Sequence, residues 1–381
     1  MKFKNLGIFL LITNFLFSNL IDELILKKGI DELYNYNFDQ SLVYLDSVIT
    51  INPEHPVPYF VKIANKWLNT QINVGFDSSY QVIYNEVEKV IPIYKKLIKE
   101  NPEKAEYYLY LGSSYGLKAR VDIAKKDWFG VIWSGYIGLD NIQYAQKLDS
   151  QLYDVYMPIG LMEYYASISS KPVQWSASIL GIKPESKAGI KHLELASQNS
   201  KYSWIESNTV LIYSYLYFEN NLEKALEISV KMYKQFPGHP YFIFLYAESL
   251  LRLNKISAFE NILIELYEKP NSYPKIQKNE CELKLNYLLA LYYFTKNNFN
   301  ATLDRCKWII ENYNMEMDWL LGFTYLLQGK VFDLTGERER AIENYNKVLL
   351  IDNLFKYQIY AEKYLKIKYM GLDSDPMFLN K

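Results

Sequence analysis

One short pattern recurs along the chain and constrains the fold more than any other feature of the sequence. Its clearest copy runs from Tyr325 to Asn353, where Gly329 and then Gly336 precede alanine, tyrosine and valine at helical spacing. A second copy runs from Asp22 to His55. Such a unit is a helix with a small residue, a turn, and a second helix whose apolar face needs a neighbour to cover it. The pattern therefore predicts stacked helical hairpins.

Eight small residues mark the first helices of the predicted hairpins. Their separation varies from 33 residues, between Ser214 and Ala247, to 54, between Gly160 and Ser214, so several hairpins carry insertions. Proline cannot continue a helix, and Asn52-Pro53 and Asn101-Pro102 stand where hairpins should end. No stretch shows the sustained alternation of a strand, so the chain is predicted to be all-α. The eight marker residues are Gly29, Ala64, Gly112, Gly160, Ser214, Ala247, Ala290 and Gly329.

These residues resemble the tetratricopeptide repeat (TPR) family, and in particular its exported bacterial members. The TPR motif places Leu-Gly and then Tyr on the first helix, and Leu111, Gly112 and Tyr115 match it in YLYLGSSYG. The resemblance covers about residues 22–353. It implies a right-handed superhelical α-solenoid of about eight hairpins, with a capping helix at 354–370 and a tail at 371–381.

Two apolar inserts interrupt the pattern in the middle of the chain, at residues 126–134 and 170–183. Their layout is similar, more weakly, to that of the eukaryotic inclusion-body-clearance TPR proteins. The inserts carry Trp128, Trp133 and Trp175. These side chains either close the edge of the solenoid or form an exposed patch for a partner helix or a membrane surface.

The first residues have the pattern of an export leader. Lys2 and Lys4 precede an apolar run from Leu6 to Phe17, and Ser18 follows as a small residue at the expected cleavage point. The run is shorter than the ~17–25 apolar residues that a spanning helix needs. We therefore expect a signal peptide at 1–18, with an uncleaved anchor as the alternative, and an exported protein of the periplasm or cell envelope.

Charge and histidine spacing exclude several classes of function. The chain has 42 Lys+Arg against 43 Asp+Glu, with no basic excess to bind phosphate backbones, so nucleic acid is not expected as a partner. His55, His192 and His239 are far apart, which argues against a metal site and favours imidazoles that line turns. Cys281 and Cys306 fall out of register on adjacent helices and are expected to be free, partly buried thiols.

No nucleophile, phosphate-cradling loop or cofactor motif is recognisable, so we expect no enzyme activity and no cofactor. Glu163 and Glu248 are acidic residues in otherwise apolar helices. Each could be a buried acid with a raised pKa, or could meet solvent or an arginine, such as Arg252 one turn from Glu248. A catalytic site near Glu163 in the middle inserts is the least favoured alternative.

The resemblance implies a protein or peptide partner in the concave groove lined by the first helices. Lysines and asparagines that clamp a terminal carboxylate in chaperone-binding TPR proteins are absent, so the groove is expected to be aromatic and apolar. Its tyrosines could instead stack on a glycan or another small ligand, and all its aromatic residues could simply pack between hairpins. The predicted groove residues are Met157, Leu161, Tyr164, Tyr215, Phe218, Tyr241, Phe244, Glu248, Leu251, Tyr287, Leu291 and Phe294.

Overall fold

The computed structural model describes residues 20–316, 318–351, 357–372 and 375–378. Within these ranges the regular elements are α-helices and two short 3-10 helices. No strand occurs there, which confirms the all-α prediction. The helices are α1 (20–34), α2 (Phe38–Ile51), α3 (Pro56–Asn73), α4 (Phe76–Glu100), α5 (Ala105–Ala124), α6 (Trp128–Leu148), α7 (Tyr156–Ile168), α8 (Lys171–Ile179), α9 (Ser186–Asn199), α10 (Trp204–Tyr217), α11 (Leu222–Gln235), α12 (Phe242–Arg252), α13 (Ile256–Glu268), α14 (Lys275–Thr295), α15 (Phe299–Asn312), α16 (Trp319–Leu334), α17 (Arg338–Leu349) and α18 (Tyr357–Lys366).

The described helices pair in sequence order, which gives eight hairpins. Hairpins form from α1 and α2, α3 and α4, α5 and α6, α7 and α9, and so on to α16 and α17, with α8 as an extra helix inside the fourth. First helices of successive hairpins also touch, as α12 does with α14 and α14 with α16. This consecutive packing confirms the α-solenoid of helical hairpins expected from the repeat.

The chain divides into two compact units, Met1–Ile159 and Gly160–Lys381, called unit 1 and unit 2 below. The division falls within α7. The repeat pattern predicts one continuous run of hairpins over 22–353, and its periodicity does not indicate a boundary between Ile159 and Gly160.

The marker glycines lie where the two helices of a hairpin cross. A Cβ atom on Gly112 would stand 2.5 Å from the Gly138 carbonyl oxygen and 2.7 Å from Ile142 Cγ1. A Cβ atom on Gly160 would stand 2.8 Å from the Gly189 carbonyl oxygen. Both distances are too short for a carbon atom, so these positions accept no side chain. Close helix approach is therefore the physical reason for the small residue in the repeat.

Turns inside the later hairpins explain another part of the pattern. Asn220, Asn254, Asn297 and Gly336 have φ values of 54°, 53°, 57° and 87°. Asparagine and glycine tolerate this left-handed conformation better than other residues. The predicted helix stops are also confirmed, since α2 ends at Ile51 and α4 at Glu100.

The two inserts adopt different structures. Residues 128–134 are not a separate segment between helices but the first two turns of α6. The insert at 170–183 contains α8. Among the described residues, no helix is long and apolar enough to cross a bilayer. The predicted signal peptide at 1–18 lies outside the described residues.

The described C-terminal residues pack against the last helical hairpins of unit 2. Helix α18 contacts α16 and α17 and occupies part of the capping segment predicted at 354–370. Beyond it, Asp375, Met377 and Phe378 are all buried. Three residues of the predicted tail thus contribute side chains to the core of unit 2.

Candidate functional site

A narrow cleft opens on unit 2 where α10, α12, α14 and α16 present their side chains to one another. These are the first helices of four successive hairpins, the position at which the repeat predicts a groove. The lining residues are Tyr213, Tyr217, Tyr241, Phe244, Leu245, Glu248, Lys284, Tyr287, Leu288 and Trp319.

Helical spacing places these side chains on one side of each helix. Tyr213 and Tyr217 are one turn apart on α10, and their rings lie 5.9 Å apart between centroids. The Tyr217 ring also lies 5.5 Å from the ring of Trp319 at the start of α16. Residues four apart share a helix face, so each helix contributes a short aromatic or apolar stripe to the cleft.

A buried carboxylate forms the floor of the cleft. Glu248 is 3% exposed, and its Oε2 accepts a hydrogen bond of 2.6 Å from the Tyr217 hydroxyl. Its Oε1 has no hydrogen-bond partner, although Arg252 Nη1 lies 3.7 Å away. Burial raises the pKa of Glu248, and the Arg252 charge opposes the increase. The predicted proximity of Glu248 and Arg252 is confirmed, but both side chains are buried instead of meeting solvent.

Arg252 uses its donors mainly on other groups. Its Nε donates to the Met377 carbonyl oxygen at 2.7 Å, its Nη2 to Asn220 Oδ1 at 3.2 Å, and its Nη1 to the Leu216 carbonyl oxygen. The arginine thus holds the C-terminal segment to α10 and α12. It gives Glu248 charge compensation but leaves Oε1 able to accept a hydrogen bond.

A second polar atom without a hydrogen-bond partner belongs to another residue that lines the same cleft. Tyr287 is 2% exposed, lines the same cleft from α14, and its hydroxyl makes no hydrogen bond. An unsatisfied buried hydroxyl or carboxylate oxygen costs about 1–3 kcal/mol, and more when it is charged. The floor therefore offers two polar atoms that a bound group could satisfy.

The rim carries a lysine packed on an aromatic ring. Lys284 Nζ lies 3.5 Å from the centroid of the Tyr241 ring and donates to Glu280 Oε1 at 2.9 Å. The Tyr241 hydroxyl donates to Glu280 Oε2 at 2.6 Å. These contacts hold the Tyr241 ring and the Lys284 ammonium in place at the rim.

The open space in the cleft is small, with a volume of about 20 Å³. A space of this size holds roughly one water molecule. The cleft is therefore not a preformed pocket for a small molecule, and an extended ligand would lie across its mouth and send a polar group to the floor.

The structure brings together four of the twelve predicted groove residues, namely Tyr241, Phe244, Glu248 and Tyr287. Met157 and Leu161 are partly buried and do not line the cleft. The other six are at most 3% exposed, which is the packing role that the sequence left open for them. They are Tyr164, Tyr215, Phe218, Leu251, Leu291 and Phe294.

Lining residues that sequence reasoning missed come from small errors of helical register. On α10 it chose Tyr215 and Phe218, whereas Tyr213 and Tyr217 face the cleft. One residue of error rotates a position by ~100° around the helix. Trp319 was missed because the repeat of α16 was aligned on Gly329, more than two turns away. The stripe of tyrosines four residues apart was the signal that could have identified the correct face.

Glu163 forms a pair with a histidine, not with solvent or an arginine. Its Oε2 lies 2.7 Å from His192 Nδ1, which joins α7 to α9 beside the Gly160 crossing. His55 and His239 accept hydrogen bonds from the backbone N–H groups of Val57 and Tyr241, at the starts of helices. His55 Nε2 also lies 3.3 Å from Glu23 Oε1.

Metal and thiol chemistry find no support in the described part of the chain. No group of three or more His, Cys, Asp or Glu side chains there could hold a metal ion. Cys281 and Cys306 are free and fully buried, as the register argument predicts, although more deeply than expected. Burial raises the pKa of Cys281 to about 11 and that of Cys306 further, so neither is a reactive thiolate at neutral pH.

The insert tryptophans are exposed. Trp128, Trp133 and Trp175 have 63%, 60% and 69% of their surface open to solvent. They do not close an edge of the fold, which was one of the two interpretations left open.

No protein-family model matches the chain, and no curated protein matches it. Among solved structures it is similar to the crystal structure of the P58(IPK) TPR domain, with 11% identity over 91% of this chain and 98% of that one and a TM-score of 0.23. The helical-hairpin architecture is established by the contacts within the chain, independently of this likeness.

Proposed function

We propose that this protein is a non-catalytic scaffold that binds a protein or peptide across the cleft of unit 2. The observation that carries the proposal is the pair of buried, unsatisfied polar atoms, Glu248 Oε1 and Tyr287 Oη, at the floor of an aromatic cleft. Buried polar atoms in folded proteins nearly always have partners. A ligand that supplies hydrogen-bond partners to both atoms would remove the cost of burying them unsatisfied on adjacent first helices.

The chemistry of the cleft defines what it would take. Glu248 Oε1 needs a hydrogen-bond donor, such as a peptide N–H or a side-chain amine or amide. Tyr213, Tyr241 and Trp319, which are partly buried, offer ring surface on which apolar or aromatic side chains can pack. We therefore expect an extended peptide that places one N–H or other donor between two apolar side chains.

Binding can be tested with random peptides displayed on phage and selected against the purified protein. Enriched peptides are then titrated by calorimetry into the parent and into Tyr287→Phe, which removes one hydroxyl and keeps the ring. A net hydrogen bond contributes about 0.5–1.5 kcal/mol, so the variant should bind roughly 2- to 13-fold more weakly. Tyr293→Phe, on the same helix but outside the cleft, is the matched control.

Two results would end the proposal. One is a selection that enriches no peptide. The other is enriched peptides that bind the parent, Tyr287→Phe and Tyr293→Phe with equal affinity, since they would then sit elsewhere.

A glycan is the second candidate ligand, because the ring of Tyr241 at the rim could stack on a sugar. Binding of the parent to immobilised envelope polysaccharide would favour it. The binding should disappear in Tyr241→Ala or Tyr287→Ala while the protein stays folded. No catalytic role is proposed for the Glu163–His192 pair, which connects two helices beside their crossing.

We also propose that the protein acts in the periplasm or cell envelope, on the basis of the leader pattern at 1–18. Cell fractionation followed by immunoblotting tests this. Recovery of the protein from the cytosol alone would remove the localisation but leave peptide binding untouched.

A further inference from the structure

The start of α6 carries an exposed apolar face that the peptide-binding proposal does not use. Trp128, Phe129, Ile132, Trp133 and Tyr136 are 63%, 79%, 57%, 60% and 52% exposed. Their spacing of one, three and four residues places them on one side of the first two turns. Isolated exposed apolar residues are common, but a contiguous group of this size marks an interaction surface.

The opposite side of α6 is fixed against α5, so the exposed face cannot turn inward. Ser134 Oγ donates to the buried Asp122 carboxylate at 3.0 Å. One turn further on, Gly138 packs against the backbone of α5 near Gly112 and Gly116. The apolar side chains therefore stay at the surface of unit 1 unless something outside this hairpin covers them.

Two lysines lie at the N-terminal edge of this apolar face. Residues 128–139 include no charged side chain, whereas Lys125 and Lys126 are exposed in the turn just before α6. Asp127 lies between the lysines and the tryptophan, and its Oδ1 accepts from the Gly130 backbone N–H at 3.0 Å. The next acidic residue on the helix is Asp140, one turn beyond Tyr136.

This combination matches the interfacial region of a lipid bilayer. Tryptophan and tyrosine rings prefer the level of the headgroups, since one edge of the ring is apolar and the other is polar. Lysines beside such a face attract anionic lipids. A protein partner could also cover aromatic side chains, but uncharged rings edged by two lysines complement anionic headgroups over acyl chains.

We propose that the α5–α6 tip, residues 123–136, inserts into the headgroup region of an anionic bilayer. Ile123, at 52% exposure, extends the apolar surface to the end of α5. A similar composition occurs in unit 2, where Lys171 is the first residue of α8, Lys183 follows the end of the helix, and Val173, Trp175 and Ile179 are exposed. The proposal does not rest on the cleft and survives if no peptide binds there.

Quenching of tryptophan fluorescence by brominated lipids tests the insertion directly. The chain has seven tryptophans, and none lies in residues 1–19, so an apolar leader cannot produce the signal. The full chain with Trp175→Phe leaves Trp128 and Trp133 as its strongly exposed reporters. Vesicles of brominated phosphatidylcholine with about 30% phosphatidylglycerol should quench this fluorescence, and unbrominated vesicles should shift it to shorter wavelength.

Two variants define which side chains insert. Phe129→Ser with Ile132→Ser keeps every reporter but removes apolar surface, and it should abolish most of the quenching. Lys126→Asn removes one charge at a position with φ of 57°, which asparagine tolerates. It should weaken partitioning into anionic vesicles about fivefold, the effect of roughly 1 kcal/mol per lysine. Ile264→Ser, at 72% exposure on α13, is the control and should change nothing.

Unaltered far-UV circular dichroism and melting temperature would show that the variants fold, as exposed positions predict. Absence of quenching in the parent would overturn the proposal. Quenching that is equal in the parent and in Phe129→Ser with Ile132→Ser would also overturn it. So would self-association in solution that the double variant abolishes, since the face would then be covered by a second copy of the chain.

Discussion

At the scale of single residues, a buried histidine couples the stability of unit 2 to pH. His239 is 9% exposed, stacks on Phe242 with 3.8 Å between ring centroids, and accepts from the Tyr241 backbone N–H through Nδ1. Burial lowers its pKa well below the ordinary value, and Lys269 and Lys284 lower it further. The imidazole is therefore neutral in the folded state throughout the physiological range.

We expect acid to destabilise unit 2 through this residue. Because the unfolded histidine binds a proton near pH 6.5 and the folded one does not, the contribution is complete above that pH and is lost as the pH falls below it. Between pH 7.5 and 5.5 the loss is on the order of 1 kcal/mol. Urea titrations at both pH values measure it. His239→Asn, which keeps an acceptor for Tyr241, should remove that part of the pH dependence.

An unchanged difference between the two pH values in His239→Asn would show that other groups cause the acid sensitivity. The sequence placed this histidine correctly in a turn between hairpins. It could not show that the ring is buried against Phe242, because that depends on how the next hairpin packs.

At the scale of elements, glycines decide how closely paired helices approach. Gly112 and Gly116 are one turn apart on α5, yet a Cβ atom on Gly112 would meet Gly138 and Ile142 whereas one on Gly116 would meet nothing within 4 Å. The two positions thus provide a matched pair on one helix.

Gly112→Ala should destabilise unit 1 by about 1–3 kcal/mol, the usual cost of overpacking. Gly116→Ala should instead stabilise it by up to about 1 kcal/mol, because alanine is the better helix former. Chemical denaturation monitored by circular dichroism measures both. Equal effects of the two substitutions would show that the α5–α6 crossing tolerates a methyl group and that close approach of the helices does not require Gly112.

The C-terminal segment is held by a buried ion pair. Lys330 Nζ on α16 lies 2.7 Å from Asp375 Oδ2, with 1% and 0% of the two side chains exposed. The Tyr369 hydroxyl donates to the same oxygen at 3.0 Å. Removing one member of such a pair leaves a buried charge without compensation, which is more costly than the pair itself is stabilising.

We therefore expect Asp375→Asn to destabilise unit 2 by about 3–5 kcal/mol. Adding Lys330→Met should recover part of this loss, since it removes the isolated ammonium. Asp304→Asn, at an exposed position on α15, is the control and should stay within about 0.5 kcal/mol. Thermal melts of the four proteins measure the series, and a double variant less stable than Asp375→Asn would contradict the explanation.

Sequence reasoning succeeded for these elements where the information is local. Eight hairpins could be counted because their signals depend only on residues close together in the sequence. These signals are helical periodicity, proline stops and small residues at crossings. The Lys330–Asp375 pair and the Glu163–His192 pair join residues that no period relates. The cleft-facing side of α10 depended on a register that one residue of error rotates out of the cleft. The start of α6 was predicted as an insert because its apolar residues interrupt the repeat pattern, although they are helical.

At the scale of the whole molecule, packing between sequence neighbours determines how far a perturbation spreads. Contacts connect each described helix mainly with the next one or two along the chain. The stability of such an array is approximately a sum of hairpin terms and nearest-neighbour terms. A destabilising substitution should therefore loosen its own hairpin and the adjoining ones. Its effect should decay with distance along the chain.

Amide hydrogen exchange with mass spectrometry resolves this decay. Gly112→Ala should accelerate exchange in α3 to α6 and leave α14 to α17 at the parent rate. Asp375→Asn should do the reverse, accelerating exchange in α12, α14, α16 and α18, the helices that contact its segment or the residues which hold it. Local opening is visible to exchange even when global unfolding is rare. Acceleration throughout units 1 and 2 in both variants would instead mean that the chain unfolds as one cooperative body, and the nearest-neighbour description would not apply.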